Sequence, residues 1–594
     1  MTAPPPPAAP SLAAVPVRSS PAWCLLGRGD GGRTRLVTLD QDGTALGTEE
    51  IAADGLAALV ARYEAEHAPR WVWSDAAAWY PRLLAAGITL ERCHDLRLIH
   101  RILSHSELVQ DSQALRAAAA WDTPLDPHEP VKDKGATLFE LDVASPRSGA
   151  VPSDAEETLV EFERQRTAID GAQDPARLRL LIAAESAGAL IAAELQAAGI
   201  PWDAAHHDQI LTTALGPRPS PGAPPARMVE TGAEVRTALG DPLVPLDSPP
   251  KLLRALHRAG IDVPSTSQWE LQAHEHPAIE PLLRYKKMSR LLTANGWTWL
   301  DEWVHEGRYR PVYVPGGVVT GRWASSGGGA LQIPRQLRPA LRADPGWRLV
   351  SADVSQLEPR VLAAMSGDRA MITAGAGKDL YSGIVEAGIV QTRQEAKIGV
   401  LGALYGGTTG DSGRVVPRLR RNFPAAMALV DGAAATGERG GTVSTWLGRS
   451  SPAVEDAWAQ AQRAANQPDA GPGQQEAARR SARERGRFTR NFVVQGTAAE
   501  WALSWMAALR LQLARFEEVP DSGAASPSGP IFSRRAHLAF FLHDEVIVHA
   551  PAEQAEAAAV AITQAADAAG RLLFPGSPID FPLDLTITER SAEK

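Results

Sequence analysis

FFLHDEVIVHAP, residues 540–551, places two adjacent acids, Asp544 and Glu545, in the middle of an apolar run. A carboxylate among such neighbours is costly to desolvate unless a cation or hydrogen-bond donors meet it. The run on each side is typical of a core β-strand. The stretch therefore predicts a strand of the core that ends in a charged site. A tight hairpin turn at 543–545 is the simpler interpretation, and it explains the turn alone.

A second acid follows a hydrophobic run 191 residues earlier in the chain. RLVSADVSQLEPRVLAAMSGD, residues 348–368, predicts a strand ending at Asp353 and a helix soon after, with Ser351 or Ser355 as its cap. If the two strands are neighbours in one sheet, Asp353 and Asp544 converge. Two carboxylates in one site repel each other, and a divalent cation relieves that repulsion. An all-oxygen ligand set favours Mg²⁺.

A helix with one unusual face is predicted from TRQEAKIGVLGALYGG, residues 392–407. Every fourth residue shares that face, and two cations lead along it to an aromatic side chain. The stripe fits a clamp for a triphosphate and a base: Arg393, Lys397, Leu401 and Tyr405. Glycines at 399 and 402 each cost a helix about 1 kcal/mol, which predicts close approach by a ligand or a backbone. An ordinary amphipathic helix ending at the glycine pair 406–407 is the alternative.

Three basic segments indicate contact with a polyanion, although each alone also fits a solvated helix face. Residues 282–290 carry four basic side chains and no acid, residues 411–422 four arginines and one acid, and residues 479–490 six arginines and one acid. In and just after the last segment, every fourth residue is first an arginine and then an amide. On one helix face, the arginines would contact DNA phosphates and the amides would contact base edges. These residues are Arg479, Arg483, Arg487, Asn491 and Gln495. Arg322, in VTGRWASS, fits either such a groove or the general surface.

The composition limits the class of protein. The chain has 594 residues, a net charge of −9 and 44% hydrophobic residues, so we expect more than one domain. No apolar run approaches the ~20 residues that span a bilayer, and the Pro/Ala-rich start does not resemble a secretion signal. Cys24 and Cys93 have no disulfide or metal spacing. A cytoplasmic protein is predicted, with residues 1–20 as a disordered tail.

Seven segments occur in an order that resembles the polymerase core of family A DNA polymerases, of the DNA polymerase I large-fragment type. DVSQLEPR (353–360), RQEAKIGVLGALYG (393–406) and LHDEV (542–546) are similar to motifs A, B and C of that family. The other four are TGRWASS (320–326), LQIP (331–334), GTVSTWLGR (441–449) and NFVVQGTAAE (491–500). The resemblance covers about 280–590.

The resemblance implies an α+β multidomain fold, a right hand of palm, fingers and thumb behind an N-terminal α/β RNase H-like exonuclease-type domain. We expect the exonuclease-like domain at 21–180 and a mostly helical thumb at 181–310. The palm is expected at 311–368 and 492–594, and the fingers at 369–491. The chain would extend a primer 3′-hydroxyl with deoxynucleotides on a DNA template and release pyrophosphate.

The resemblance also implies roles for individual residues. Asp353, Asp544 and the carbonyl of Val354 would hold two Mg²⁺ ions, with Mn²⁺ as a substitute, and Glu545 would support them. Lys397 would grip the triphosphate and donate a proton to pyrophosphate. The remaining nucleotide contacts would be Arg393, Leu401, Tyr405, Gln356, His543 and Glu358, the last as a steric gate against ribose. The DNA contacts would be Arg322, Gln332, Arg487, Asn491 and Gln495.

The chain departs from the family pattern at several positions. Val354 stands where an aromatic residue is usual, Pro359 follows the gate glutamate, and Leu401 replaces an aromatic residue in motif B. LQIP lacks the usual asparagine, and the C-terminus lacks the usual Asn-Trp ending. None of these changes removes a predicted metal ligand.

The N-terminal part resembles the 3′–5′ exonuclease domain of the same family. VWSDAAAWYPRLLAAGITLERCHDLRLIHRIL, residues 72–103, is similar to the second exonuclease motif and supplies Asp75 and Asp95. That chemistry needs two metals and about four carboxylates. The first strand, WCLLGRGDGG, has no Asp-x-Glu, and Arg166 stands about where the last acid is expected. We therefore predict a retained fold with vestigial acids and lost proofreading.

Two further functions stay open at this point: an active proofreading exonuclease, and a non-catalytic DNA-binding remnant. The expected partners are primer-template DNA and deoxynucleoside triphosphates. We expect a nucleoid-associated monomer without a membrane anchor.

Overall fold

The computed structural model describes residues 20–123, 150–407 and 410–591, without the side chains of Gln332, Gly410 and Asp411. The predicted tail thus lies outside the described residues except for Ser20. Within the described part of the chain, no helix combines the length and the apolar character needed to cross a bilayer.

The N-terminal part contains a five-stranded sheet with helices on its faces. Its elements are β1 Trp23–Arg28, β2 Thr34–Leu39, β3 Ala45–Ile51, α1 Leu56–His67, β4 Arg70–Trp73, α2 Ala76–Ala85, β5 Cys93–Asp95, α3 Leu96–Leu103, α4 Gln113–Ala117 and α5 Ala155–Asp170. The strand order is β3-β2-β1-β4-β5, with β1, β4 and β5 parallel. Strand alternation places Trp71 and Trp73 in one apolar cluster and Val72 in another, so both faces are buried.

The next part of the chain is mostly helical. Its elements are α6 Pro175–Ala198, β6 Ile200–Pro201, α7 Ala204–Leu215, α8 Ala226–Leu239, α9 Pro249–Arg258, α10 Gln268–Gln272, α11 Ile279–Asn295, α12 Trp297–Trp303, β7 Val304–His305 and β8 Arg308–Tyr309. A small sheet of order β6-β8-β7 closes it. Most of its buried apolar side chains belong to one large core that continues into the C-terminal part, while several from α6 pack in the clusters of the N-terminal part.

A four-stranded sheet organises the C-terminal part. The elements are β9 Val312–Val314, β10 Ala324–Gly327, β11 Trp347–Val354, α13 Leu357–Ser366, α14 Arg369–Gly375, α15 Leu380–Glu386, α16 Arg393–Tyr405, α17 Gly410–Asn422, α18 Pro424–Glu438, α19 Asp456–Ala465, α20 Pro472–Leu513, α21 Gly529–Phe532, β12 His537–Leu542, β13 Glu545–Pro551, α22 Ala555–Leu573 and β14 Leu583–Thr588. The order β12-β13-β11-β14 is antiparallel throughout. Strands from 347–354 and 537–551, far apart in sequence, are therefore direct neighbours.

Two of the expected domain boundaries fall inside single helices. The boundary after residue 180 lies within α6, and the boundary after residue 491 lies near the middle of the 42-residue α20. Helix α20 packs against α18, α22 and α6, so it connects regions that the sequence assigns to different domains. The division of the chain is thus less sharp than the sequence suggests, because two long helices are shared across the boundaries.

Candidate active site

The two predicted acids lie beside each other at one end of the four-stranded sheet. The β11–β13 register pairs Asp353 with Glu545, one residue from Asp544. The backbone N–H of Val354 donates to the backbone oxygen of Asp544 at 3.0 Å, which ties the strand end to the turn. Asp353 and Asp544 both line a cleft of about 720 Å³. A hairpin turn and a pair of converging acids are therefore both present.

The turn that carries Asp544 has an uncommon backbone. His543 and Asp544 alone connect β12 to β13, and Leu542 pairs with Glu545 across them. His543 has φ of 58°, and Gln356, on the facing motif, has φ of 54°. Non-glycine residues in the left-handed region cost of order 1 kcal/mol or more, and such strain is concentrated at functional sites. Both residues line the cleft.

Burial shapes the electrostatics of this turn. It raises the pKa of Asp544, with Arg322 acting in the opposite direction and Glu358 and Glu545 raising the pKa further. Burial and the same arginine lower the pKa of His543. Burial therefore disfavours the charged form of the Asp544 carboxylate in the cleft, and Arg322 offsets this only in part.

Helix α16 presents its predicted stripe to the cleft. Arg393, Lys397 and Tyr405 are exposed, Leu401 is partly buried, and all four line the cavity. Thr392 and Glu395 form a reciprocal capping box at the start of α16, and Gly406 ends it in the left-handed conformation.

The two glycines of α16 lie where another helix approaches closely. Both face α17. A Cβ at Gly399 would collide with Val415, and one at Gly402 would collide with Ser412. The glycines therefore allow close packing of two helices, which keeps the stripe on the opposite face free for the cleft.

Glu358 is held in place by two neighbours from separate elements. The Tyr405 hydroxyl donates to Glu358 Oε2 at 2.6 Å, and the Arg322 guanidinium donates to Oε1. The Glu358 side chain is 11% exposed. Burial, followed by the carboxylate of Glu358, raises the pKa of Tyr405, so this hydroxyl stays protonated as a donor. Sequence alone gave no sign of this three-residue contact.

Arg393 makes an ion pair that the sequence did not predict. Its Nε and Nη2 donate to the two carboxylate oxygens of Asp379 at 3.1 and 2.8 Å, and Gln356 Nε2 donates to the same carboxylate at 2.8 Å. Burial alone would raise the pKa of Asp379, but the hydrogen bonds from Arg393 and Ser382 lower it to about 2. An anionic ligand at Arg393 must therefore compete with Asp379.

Glu545 has a different environment from its neighbour. It does not line the cleft; instead its two oxygens accept from Arg338 Nη1 and Nη2 at 2.9 and 2.5 Å. Their side chains are 5% and 14% exposed. The structure thus places Glu545 in a buried ion pair behind the cleft. Arg338 lies in RQLRPALR, where only a three-dimensional partner distinguishes it from other arginines.

Replacing Arg338 with methionine is expected to destabilise the fold by about 3–5 kcal/mol, because the Glu545 carboxylate would stay buried without a partner. Equilibrium urea unfolding measures the change. Combining Arg338→Met with Glu545→Gln removes the unpaired charge and should recover part of the loss. Equal stability of wild type and Arg338→Met would contradict a buried pair that matters to the fold.

The residues at the cleft fit a hard divalent cation, but they do not form a complete cage. Carboxylate oxygens of Asp353 and Asp544 and the carbonyl of Val354 suit Mg²⁺. In the described ranges, no group of three His, Cys, Asp or Glu side chains forms a closed metal site. Mg²⁺ commonly keeps several waters and binds substrate phosphates, so an open site of this kind is compatible with it.

The predicted DNA-contact stripe follows one face of α20. Arg479, Arg483 and Arg487 are exposed, and Asn491 and Gln495 are partly exposed, whereas residues 492–494 are buried. Gln495 and Arg322 line the cleft; Arg487 and Asn491 do not. The side chain of Gln332 lies outside the described residues.

The basic segment at the start of α20 contributes fewer free charges than its sequence suggests. Arg490 is buried, and it pairs with Asp431 and donates to the carbonyl of Ala403. Arg485 donates to the carbonyl of Pro452. These two arginines connect α20 to its neighbours and do not face an external polyanion.

In the N-terminal sheet, the predicted exonuclease acids act as helix caps. Asp75 caps α2 through the N–H of Ala77 at 2.8 Å and pairs with Arg97. Asp95 caps α3 and also accepts from the N–H of Ala76 at 2.7 Å. Burial, then the charge of Asp75, raises the pKa of Asp95 to about 7.

Arg166 does not lie near the predicted exonuclease acids, contrary to the expectation that it replaces the last acid of that site. Arg166 lies in a pocket with Trp23 and Arg70, where β1 and β4 begin, whereas Asp75 follows the end of β4. The basic residue beside Asp75 is Arg97. Strand β1 carries Cys24, Leu25 and Leu26 as buried residues and contains no acid.

The sequence and fold match those of known proteins. A family model described as DNA polymerase family A matches residues 251–587. The chain is 30% identical over 315 residues to DNA polymerase I of Chloroflexus aurantiacus, covering 48% of the chain and 29% of that protein. It is 29% identical over 328 residues to the thermostable DNA polymerase I of Thermus aquaticus, covering 50% and 35%. The chain thus spans about a third of the length of these curated relatives.

Among solved structures, the polymerase domain of Pol1 from M. smegmatis, in complex with DNA primer-template and dNTP, matches with a TM-score of 0.64 at 18% identity. The match covers 94% of this chain and 92% of that one. The shared architecture therefore extends well beyond the region covered by the family model.

Proposed function

Because the chain belongs to DNA polymerase family A, we propose that it extends a primer 3′-hydroxyl with deoxynucleoside triphosphates on a DNA template and releases pyrophosphate. One observation carries the proposal: the carboxylates of Asp353 and Asp544 share a cleft of about 720 Å³ with the Arg393–Lys397–Tyr405 stripe of α16. Nucleotidyl transfer needs carboxylates near the primer hydroxyl and cationic side chains near the triphosphate, and both groups must share one cleft.

The acid side of the cleft would hold the reacting ends. Asp353, Asp544 and the carbonyl of Val354 would bind two Mg²⁺ ions, with Mn²⁺ as a substitute. When bound, such ions lower the pKa of the primer hydroxyl and neutralise charge on the leaving pyrophosphate. The sheet fixes the positions of both acids, since each follows or ends a paired strand.

The α16 side would hold the nucleotide. Arg393 would exchange the carboxylate of Asp379 for phosphate oxygens, and Lys397, one turn away, would contact the same triphosphate and donate a proton to pyrophosphate. Leu401 and Tyr405 would pack against the sugar and the nascent base pair. Gln356 and His543, both in strained turns at the cleft, would contact the primer terminus or the minor groove with Arg322 and Gln495.

The domain roles belong to the same proposal. Residues 311–368 and 492–594, around the four-stranded sheet, would form the palm, residues 369–491 the fingers, and residues 181–310 the thumb. Glu545 would act indirectly, by fixing the start of β13 through Arg338. Arg487 and Asn491, on the stripe of α20 beyond the cleft, would contact the template.

We further propose that the N-terminal sheet is an exonuclease-type domain without proofreading activity. Three facts support this: β1 contains no acid, Asp75 is paired with Arg97, and Asp95 is committed to two backbone N–H groups. Two-metal hydrolysis needs carboxylates that are available to cations.

Primer extension with Mg²⁺ tests the function, with primers that end in either a matched or a mismatched 3′ nucleotide. Template-dependent extension of the matched primer is expected. Without nucleotides, a 3′-labelled primer should persist. No extension by the wild-type chain would favour the non-catalytic remnant, and degradation that is lost in Asp75→Ala would revive the exonuclease.

Replacing Glu358 with alanine is expected to raise the ratio of ribonucleotide to deoxynucleotide incorporation by about 10-fold or more, because the gate against a 2′-hydroxyl would lose its bulk. Single-nucleotide kcat/KM values for both substrates measure it. Glu358→Gln keeps the size and is the matched control, so its ratio should stay near that of the wild type. An unchanged ratio in Glu358→Ala would show that the gate lies elsewhere.

A further inference from the structure

A second cavity lies at the N-terminal sheet, at the end of the parallel strands opposite to Asp75 and Asp95. It has a volume of about 600 Å³ and forms where β1, β4 and β5 begin. The parallel register places Trp23 beside Arg70, and Arg92 directly precedes β5. The C-terminal half of α5 completes the wall with Arg166. An exonuclease-type site would lie at the other end of these strands, so this cavity is separate from it.

Besides Arg179, which is paired with Asp170, three arginines line this cavity, and each donates a hydrogen bond to a backbone carbonyl. Arg70 Nη1 donates to the carbonyl of Cys93 at 3.3 Å, Arg92 Nη2 to that of Ala68 at 2.9 Å, and Arg166 Nη2 to that of Gln41 at 3.5 Å. A guanidinium has five N–H donors, so most of the hydrogen-bonding capacity of each remains. The backbone contacts preorganise the three groups without neutralising them.

The charge of these three arginines is not balanced by acids in the part of the chain that the structure describes. Among the described residues, none of these three arginines has a carboxylate within ion-pair distance. The one acid of the wall, Asp170, is already paired with Arg179 at 2.6 Å. Burial and the neighbouring Arg92 lower the pKa of Arg70. Like charges this close repel each other, and a bound anion would relieve the repulsion.

Aromatic rings lie between the arginines. The Arg70 guanidinium lies 5.7 Å from the ring centre of Trp23, and Arg166 lies 5.7 Å from that of Phe162. His94 contacts both rings edge-on, and burial lowers its pKa to about 3, so it is neutral. Trp23 is half-buried and forms part of the wall. A planar group entering the cavity would therefore meet aromatic and guanidinium surfaces.

We propose that this cavity binds a phosphomonoester carrying a base, that is, a free mononucleotide or the 5′-phosphorylated end of a DNA strand. The phosphate would lie among Arg70, Arg92 and Arg166, where charge-assisted hydrogen bonds from guanidinium groups favour a dianion. The base would pack against Trp23. A volume of about 600 Å³ lies within the ~300–1,000 Å³ typical of small-molecule sites.

Isothermal titration calorimetry on the full chain in EDTA tests this, with dAMP, inorganic phosphate and a 5′-phosphorylated tetranucleotide as separate probes. Reversing two charges, Arg92→Glu with Arg166→Glu, is expected to weaken dAMP binding by about 30-fold or more. Arg33→Glu reverses one charge at an exposed arginine outside the cavity and is the control. Its dAMP affinity should stay within about twofold of that of the wild type. Trp23→Ala should weaken dAMP by about 10-fold and leave phosphate unchanged. Thermal unfolding checks that each variant is folded.

The outcomes separate the sources of the phosphate and the competing site. Tighter binding of the tetranucleotide than of dAMP would assign the cavity to a strand end, and the reverse would assign it to a free nucleotide; both support the proposal. Inorganic phosphate binding as tightly as dAMP would overturn the assignment of a base. Undiminished dAMP binding in the double variant would show that dAMP does not bind in this cavity. Loss of dAMP binding in Arg393→Ala would place dAMP in the cleft of α16 instead, and would also overturn the proposal. Primer extension is a separate assay, so a failure of either proposal is recognised independently.

Discussion

Asp544→Ala is expected to lower the rate of primer extension by about 10³-fold or more, the largest effect of any substitution considered. Burial raises the pKa of Asp544, so a bound cation would favour its charged form. Alanine cannot bind a metal, so Asp353 would be left as the single side-chain ligand of the two that are proposed. Single-turnover extension at saturating nucleotide and Mg²⁺ measures the chemical step directly.

The Asp544 substitution should leave the fold intact. The contact that ties this turn to β11 uses the backbone oxygen of Asp544, which alanine retains. Removing a negative charge should keep or strengthen binding of primer-template DNA, as a mobility-shift assay would show. Glu553→Gln, an exposed acid just beyond the far end of β13, is the matched control and should extend primers normally. Wild-type rates in Asp544→Ala would reduce this residue to a turn former.

Lys397→Ala is expected to reduce kcat/KM for the incoming nucleotide by about 10²–10³-fold, because the exposed ammonium on α16 would no longer meet the charge that develops on the triphosphate. Pre-steady-state nucleotide titration separates binding from the chemical step. Lys378→Ala, the same change at a lysine paired with Glu386 outside the cleft, is the control.

Lys397→Arg distinguishes the two proposed roles of Lys397. Arginine keeps the positive charge but does not release a proton under ordinary conditions. If Lys397 donates a proton to pyrophosphate, the arginine variant should bind nucleotide nearly as well as the wild type and still react slowly. Full recovery of the rate in Lys397→Arg would restrict Lys397 to charge neutralisation. A rate unchanged in Lys397→Ala would remove Lys397 from the catalytic set altogether.

Arg393, on the α16 side of the cleft, is paired with an internal anion, the carboxylate of Asp379. The cost of breaking a partly exposed pair is modest, of the order of 1 kcal/mol or less. A triphosphate, with more charge than one carboxylate, would displace Asp379 readily. The pair therefore holds the arginine in position without blocking the site.

Local sequence determined the elements that carry the site. Apolar runs predicted the strands that end near Asp353 and Asp544, because alternation and β-branched residues act within a few residues. A period of four predicted the exposed stripes of α16 and α20, because helix geometry repeats at that spacing. The order of short motifs predicted the family, which the family model confirms.

The tertiary structure alone decided which charged groups meet. Arg338 and Glu545 are 207 residues apart, and Arg97 rather than Arg166 lies beside Asp75. The glycines of α16 face another helix, and Arg490 is buried against Asp431. Such partners depend on strand order, register and helix packing, which bring remote segments within a few ångströms. An ion pair acts over that short distance in space and leaves no periodic trace along the chain, so sequence could place the acids of the cleft but not their partners.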